Sequence, residues 1–109
     1  MSAARLATGI WVAAYLARLG QRTIPAYVIH RGDDTAGAIA LSVVRPSGRV
    51  ELWSQEYDFD SDQRPWVMQA EGAPPEIDAT VTRRRAADPD LWVIELELPD
   101  AQPLAELID

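Results

Sequence analysis

A chain of 109 residues, 48% hydrophobic and 25% charged, has enough apolar surface for one core and too little length for two, which predicts a single domain over residues 1–109. Its formal net charge of −7 argues against general attraction to nucleic acid or to an anionic membrane surface. The absence of cysteine excludes disulfides, thiolate nucleophiles and cysteine-based zinc sites, and a lone histidine excludes a metal site built on two of them.

The apolar N-terminal stretch has one uncharged run, Leu6 to Ala17, well short of the ~20 residues that a bilayer span needs. Arg5 and the alanines resemble a secretory signal only weakly, and Trp11, Tyr15 and Arg18 recur at helical spacing, so the segment reads as a helix of a cytoplasmic protein. Thr8 as N-cap and Gly20 as the left-handed residue after the last turn bound that helix at Gly9 to Leu19. Its apolar residues run almost all round, which is the pattern of a helix buried on more than one side. Burial of the second side predicts a homodimer, with Trp11 and Tyr15 at the interface.

Beyond Ile24-Pro25, AYVIHR (Ala26 to Arg31) reads as a strand and GDDTAG (Gly32 to Gly37) as a turn. Ala38 to Arg45 and Arg49 to Tyr57 read as strands joined through Pro46, Ser47 and Gly48. Trp66 to Ala70 is a short fourth strand after a polar loop. Pro75 opens a second helix to Ala87, with Glu76 and Asp78 early and Arg83, Arg84 and Arg85 late, an order that complements the helix dipole. LWVIELEL (Leu91 to Leu98) is the clearest strand, and Pro99 onward reads as a loosely attached tail. The order α-β-β-β-β-α-β with short turns predicts an α+β fold. It is an antiparallel-dominated sheet of about five strands, with two helices packed on one face and the last strand carried to the far side of the sheet.

The runs LATGIWVAAYLARLGQRTIPAYVIHRGDDTAGAIAL, ELWSQEYD and ADPDLWVIELE together resemble the DUF1491 family, short bacterial proteins of unknown function, over most of the chain. The resemblance implies a stand-alone cytoplasmic bacterial domain. It brings no substrate, cofactor or catalytic residue.

His30 is the one side chain able to do imidazole acid/base work, and it stands next to Arg31, Asp33 and Asp34 on a loop, where binding groups concentrate. No GxSxG elbow accompanies it, and it reads as a half-buried strand histidine. His30 or Arg31, or both, are expected to pair with Asp33 or Asp34 across the turn with no pocket beside them. Gly32 and Gly37 have the P-loop spacing, but Ala38 and Ile39 stand where lysine and a hydroxyl residue are needed. Asp58, Asp60 and Asp62 mimic the start of a calcium loop, yet Gln63 replaces the turn glycine and Gln69 the closing glutamate, so no metal is expected there. Arg83 to Arg85 fan over about 200° of a helix and form no single patch. Trp53 alternates in phase with Glu51, Gln55 and Tyr57, which predicts an exposed Trp53/Tyr57 contact stripe.

No cofactor is expected. Two functions remain: a non-enzymatic binding or regulatory module acting on an unknown protein partner or as a homodimer, or a small-molecule enzyme or ligand-binding domain with its site at His30, Arg31, Asp33 and Asp34.

Overall fold

The computed structural model describes residues 6–108; Arg5, on which the signal-like reading leans, lies outside the described residues. The elements are α1 (Thr8–Gln21), β1 (Ala26–His30), β2 (Ile39–Val44), β3 (Val50–Gln55), β4 (Trp66–Gly72), α2 (Pro74–Ala87) and β5 (Trp92–Glu97), followed by a short 3₁₀ turn at Leu104–Glu106. The α+β class, the five strands and the order of elements are those expected. The sheet is mixed, in the order β1-β5-β2-β3-β4, with β2 and β5 parallel and every other neighbouring pair antiparallel.

The last strand does not lie at the far side of the sheet. It inserts between β1 and β2, and the reason is its composition: Leu91, Trp92, Val93 and Ile94 are all buried, so both faces of β5 need cover that only an interior position supplies. Nor do the two helices share one face. The register sets Leu41 beside Ile94 and Trp53, and Val43 beside Leu96, on the face where Val12, Tyr15 and Leu19 of α1 pack. Ala40, Val50, Leu52 and Val93 point the other way, onto Ile77 and Val81 of α2. Two clusters, one on each face of a shared sheet, make a three-layer arrangement.

α1 is longer than expected at both ends. Thr8 sits inside its first turn and donates its hydroxyl to the carbonyl of Gly37 at 2.8 Å instead of capping its own helix. Gly20 stays helical, and the left-handed step falls on Thr23 (φ 58°), after which the Ile24 amide donates to the Leu19 carbonyl at 2.9 Å. α2 begins at Pro74, one residue early, with prolines in its first two positions, where no amide is missed.

The C-terminal stretch is no loose tail. Leu104 and Leu107 are buried in the α1-side core. The buried Arg45 guanidinium donates to the carbonyls of Pro99 at 2.8 Å and Gln102 at 2.6 Å, while its other nitrogens clasp Glu51 at 3.2 and 3.0 Å. A guanidinium satisfied on all sides can be buried and used as a fastener.

Tyr15 is 1% exposed and stacks on Trp11 at 4.8 Å, but its hydroxyl has no hydrogen-bond partner. Burial, opposed by the nearby Arg18 charge, pushes the phenol up to about 12. The unfolded phenol ionises near 10, so rising pH favours unfolding between those values. Tyr15→Phe removes an unpaired buried oxygen and is expected to leave urea stability unchanged or raise it by about 1 kcal/mol. It should also abolish part of the alkaline loss of stability above pH 10. A loss of more than 1 kcal/mol at neutral pH would show that the hydroxyl has a partner in solution.

Candidate functional site

The end of the sheet where β1 and β3 finish and β2, β4 and β5 begin gathers three loops and both helix ends. The 31–38 loop there is a structural knot. Asp33 accepts the amides of Thr35 at 3.2 Å and Ala36 at 2.8 Å through one carboxylate oxygen, the turn chemistry its sequence predicts. The Asp33 carbonyl accepts the Trp92 indole N–H at 2.8 Å, and its amide donates to Asp90 at 3.0 Å. The first amides of α1, from Thr8 and Gly9, donate to the carbonyls of Thr35 and Asp34 at 3.2 and 2.8 Å. The helix N-terminus is thereby satisfied by backbone and offers nothing to an anion.

Arg31 pairs with Asp34 at 3.0 Å, as expected of one of the two strand-end residues, and its guanidinium lies 4.9 Å from the Trp92 ring centroid. His30 closes β1 half-buried, beside a bulge, and hydrogen-bonds to neither aspartate. The four residues are thus close in sequence and do not converge: Arg31, Asp33 and Asp34 hold the loop, and His30 stands apart.

A cleft of about 830 Å³ opens on the other side of this loop. It is lined by Thr35, Ala36, Gly37 and Ala38 of the loop, by Leu6 and Ala7 ahead of α1 with Thr8 and Trp11 within it, and by Ile39, Ser54 and Gln55 at the strand ends. Asp62 and Arg64 reach it from the 56–65 loop, and Arg84 from the last turn of α2. His30, Arg31, Asp33 and Asp34 are not among its lining residues. Arg84 donates to the buried Ser54 hydroxyl at 2.8 Å, which holds its guanidinium at the cleft edge. Arg64 lies 5.9 Å from the Tyr57 ring centroid, and neither arginine forms an ion pair with a described residue.

Of these lining residues, Arg84 carried a usable signal. Ile77, Val81 and Arg84 follow the i, i+4, i+7 rule, so the face of α2 that meets the sheet ends in a guanidinium. Arg64 and Ser54 carried none, because a loop and a strand end come together only in the folded chain.

The expected Trp53/Tyr57 stripe does not form. Trp53 is half-buried against the α1-side core, and its indole donates to Glu51 at 3.1 Å. β3 ends at Gln55, so Tyr57 leaves the strand phase, meets Phe59 edge-on at 4.8 Å and donates its hydroxyl to Asp62. Tyr15 belongs to the core, and Trp11 is half-buried between Tyr15 and Trp66, whose centroid lies at 6.1 Å. Tyr15 is therefore a core residue and Trp11 and Trp53 are half-buried, whereas Tyr57 stays exposed beside Phe59. Asp58 spends its carboxylate on the Asp60 amide at 3.0 Å and the Ser61 hydroxyl at 2.8 Å, which makes DFDSD a self-capped turn. Among the described residues no cluster of three metal-ligating side chains occurs, and no helix is long and apolar enough to cross a membrane.

The fold and cleft define a small α+β protein in which one mixed sheet is flanked by a helix on each face. The chain belongs to the family described as "Protein of unknown function (DUF1491)", whose model matches residues 6–106. It is similar to the crystal structure of a DUF1491 family protein from Caulobacter crescentus, with 35% identity, TM-score 0.78, and 86% of this chain and 89% of that one covered. An NMR structure of a DUF1491 family protein from the same organism gives 33%, 0.78, and 92% of both chains. The solution structure of protein Atu0922 from A. tumefaciens gives 27%, 0.79, 96% and 93%. No curated protein matches the chain.

Proposed function

We propose that this protein is a non-enzymatic binding module of the bacterial cytoplasm, and that its site is the sheet-end cleft. The observation that carries this is the cleft's construction: an aliphatic wall from Leu6, Ala7 and Ile39 faces polar groups from Gln55, Arg64 and Arg84 across about 830 Å³. Such mixed linings are what small-molecule sites consist of. Binding is favoured over catalysis because the lining holds no imidazole to activate its hydroxyls, those of Thr8, Thr35 and Ser54, and the first and last of these are already hydrogen-bonded. The lack of cysteine and the bacterial relatives support the compartment.

The test is amide NMR of the intact chain against a set of neutral, cationic and anionic fragments. Shifts should gather on residues 35–39, 54–55, 64 and 84, and Ala38→Trp, which fills the cleft from an exposed position, should abolish them. Shifts scattered elsewhere, or unchanged by Ala38→Trp, would refute the cleft as the site.

A second reading, self-association, is favoured by one observation. β1 is an edge strand, and Tyr27, Val28 and Ile29 are all exposed on it without a charged residue between them. A homodimer through that edge would be converted to monomer in sedimentation by Val28→Lys, and a wild-type monomer at high micromolar concentration excludes it.

A further inference from the structure

The charges around the cleft select among ligands. Arg64 and Arg84 bring two guanidiniums without ion-pair partners among the described residues, and Asp62 brings one carboxylate, which the Tyr57 hydroxyl partly occupies. The balance is one excess positive charge in a chain whose formal net charge is −7. Arg31, at the same end of the sheet but outside the cleft, is by contrast neutralised by Asp34. A singly charged anion matches the excess; a doubly charged one meets Asp62 and the overall negative field. Guanidiniums suit a carboxylate because their planar forks match its two oxygens.

The apolar lining says what the rest of the ligand is. Trp11 also lines the cleft, but its ring is already stacked with Tyr15 and Trp66, which leaves the aliphatic residues as the larger share of the apolar lining. These are Leu6, Ala7, Ala36, Ala38 and Ile39, all aliphatic, with Leu6 60% exposed. Leaving such a side chain in water is unfavourable, and an alkyl chain laid along this wall removes apolar surface from water on both partners.

We infer that the cleft binds an aliphatic carboxylate, its head group held by Arg64 and Arg84 and its alkyl chain lying on the Leu6, Ala38 and Ile39 wall. This rests on the cleft being the binding site, and it adds the chemical class of the ligand. The head group supplies orientation and the chain supplies most of the buried area.

The experiment uses octanoate, octanol and acetate as probes of the intact chain, followed by amide NMR. Octanoate should shift residues lining the cleft, and octanol, with the same tail and no charge, should bind at least about tenfold more weakly. Acetate should be weaker than both. Arg64→Met, on an exposed loop, should weaken octanoate by about tenfold and leave octanol unchanged. Arg84→Met should do the same, with Arg84→Lys intermediate because it keeps the charge and loses the fork. Asp62→Asn should tighten octanoate, since it removes the opposing charge at a left-handed position that asparagine tolerates. Octanol binding as tightly as octanoate, or octanoate binding unaffected by Arg64→Met, overturns the inference while leaving neutral-fragment binding at the cleft intact. Octanoate shifts that fall outside the cleft overturn it as well.

Discussion

Gly32→Ala is expected to destabilise the protein by about 3 kcal/mol or to prevent folding. A Cβ on Gly32 would lie against the Asp90 carbonyl oxygen well inside van der Waals contact, 2.8 Å from the carbonyl carbon and 2.6 Å from Cδ1 of Trp92. Two of these are backbone atoms of the turn that feeds β5, and the third belongs to an indole pinned by its hydrogen bond to Asp33. None is free to retreat. Gly37 is in the same position against Asp90 and Asp33, so the two ends of GDDTAG are glycine because backbone passes over backbone, and not because phosphate does. Gly20→Ala is the control, since nothing lies within 4 Å of its Cβ position and the residue is helical. That substitution should stabilise by up to about 1 kcal/mol. Urea unfolding of the two variants checks both signs. Equal effects from Gly32→Ala and Gly20→Ala would show that the 31–38 loop gives way more easily than its contacts imply.

Arg45→Met is expected to cost about 3 kcal/mol and to release the C-terminal stretch. Its side chain is 8% exposed and that of Glu51 15%, so removing the guanidinium strands a carboxylate away from water and leaves the Pro99 and Gln102 carbonyls without their donor. Burial alone would raise the Glu51 carboxyl. Hydrogen bonds from Arg45 and Trp53, with the Arg45 and Arg49 charges, overcome it and hold the group below its ordinary range. A depressed carboxyl stabilises the fold above its unfolded value, and that contribution is lost as pH falls through the lower folded value. Wild type should therefore lose stability on the acid side through this pair, and Glu51→Gln should lose less of it there. Hydrogen exchange at residues 104–107 reports the release directly; protection unchanged in Arg45→Met would mean that Leu104 and Leu107 hold the segment alone.

The candidate site was legible in part. That the GDDTAG turn is held by aspartate side chains follows from local chemistry, since Asp33 caps amides two and three residues ahead. Its role as one wall of a cleft does not, because the other walls come from residues as distant as Leu6 and Arg84. The surroundings of the aromatics are hidden from the sequence for a related reason. Strand alternation ends at Gln55, before Tyr57, and α1 covers the face of the sheet to which Trp53 belongs, so strand phase alone does not give the exposure of either.

The sequence by itself determined what depends on neighbours in the chain. Helical spacing of Trp11, Tyr15 and Arg18, the prolines opening α2, the alternation in β3 and the order of elements are local preferences, and they survive folding. Tertiary structure decided where β5 goes, which face each helix covers, and what becomes of the stretch after Pro99. Each of these is a competition among distant apolar surfaces for burial. The run Leu91 to Ile94 is apolar on both faces and so takes the place between β1 and β2. That insertion leaves two faces needing cover, and α1 and α2 provide it, one for each.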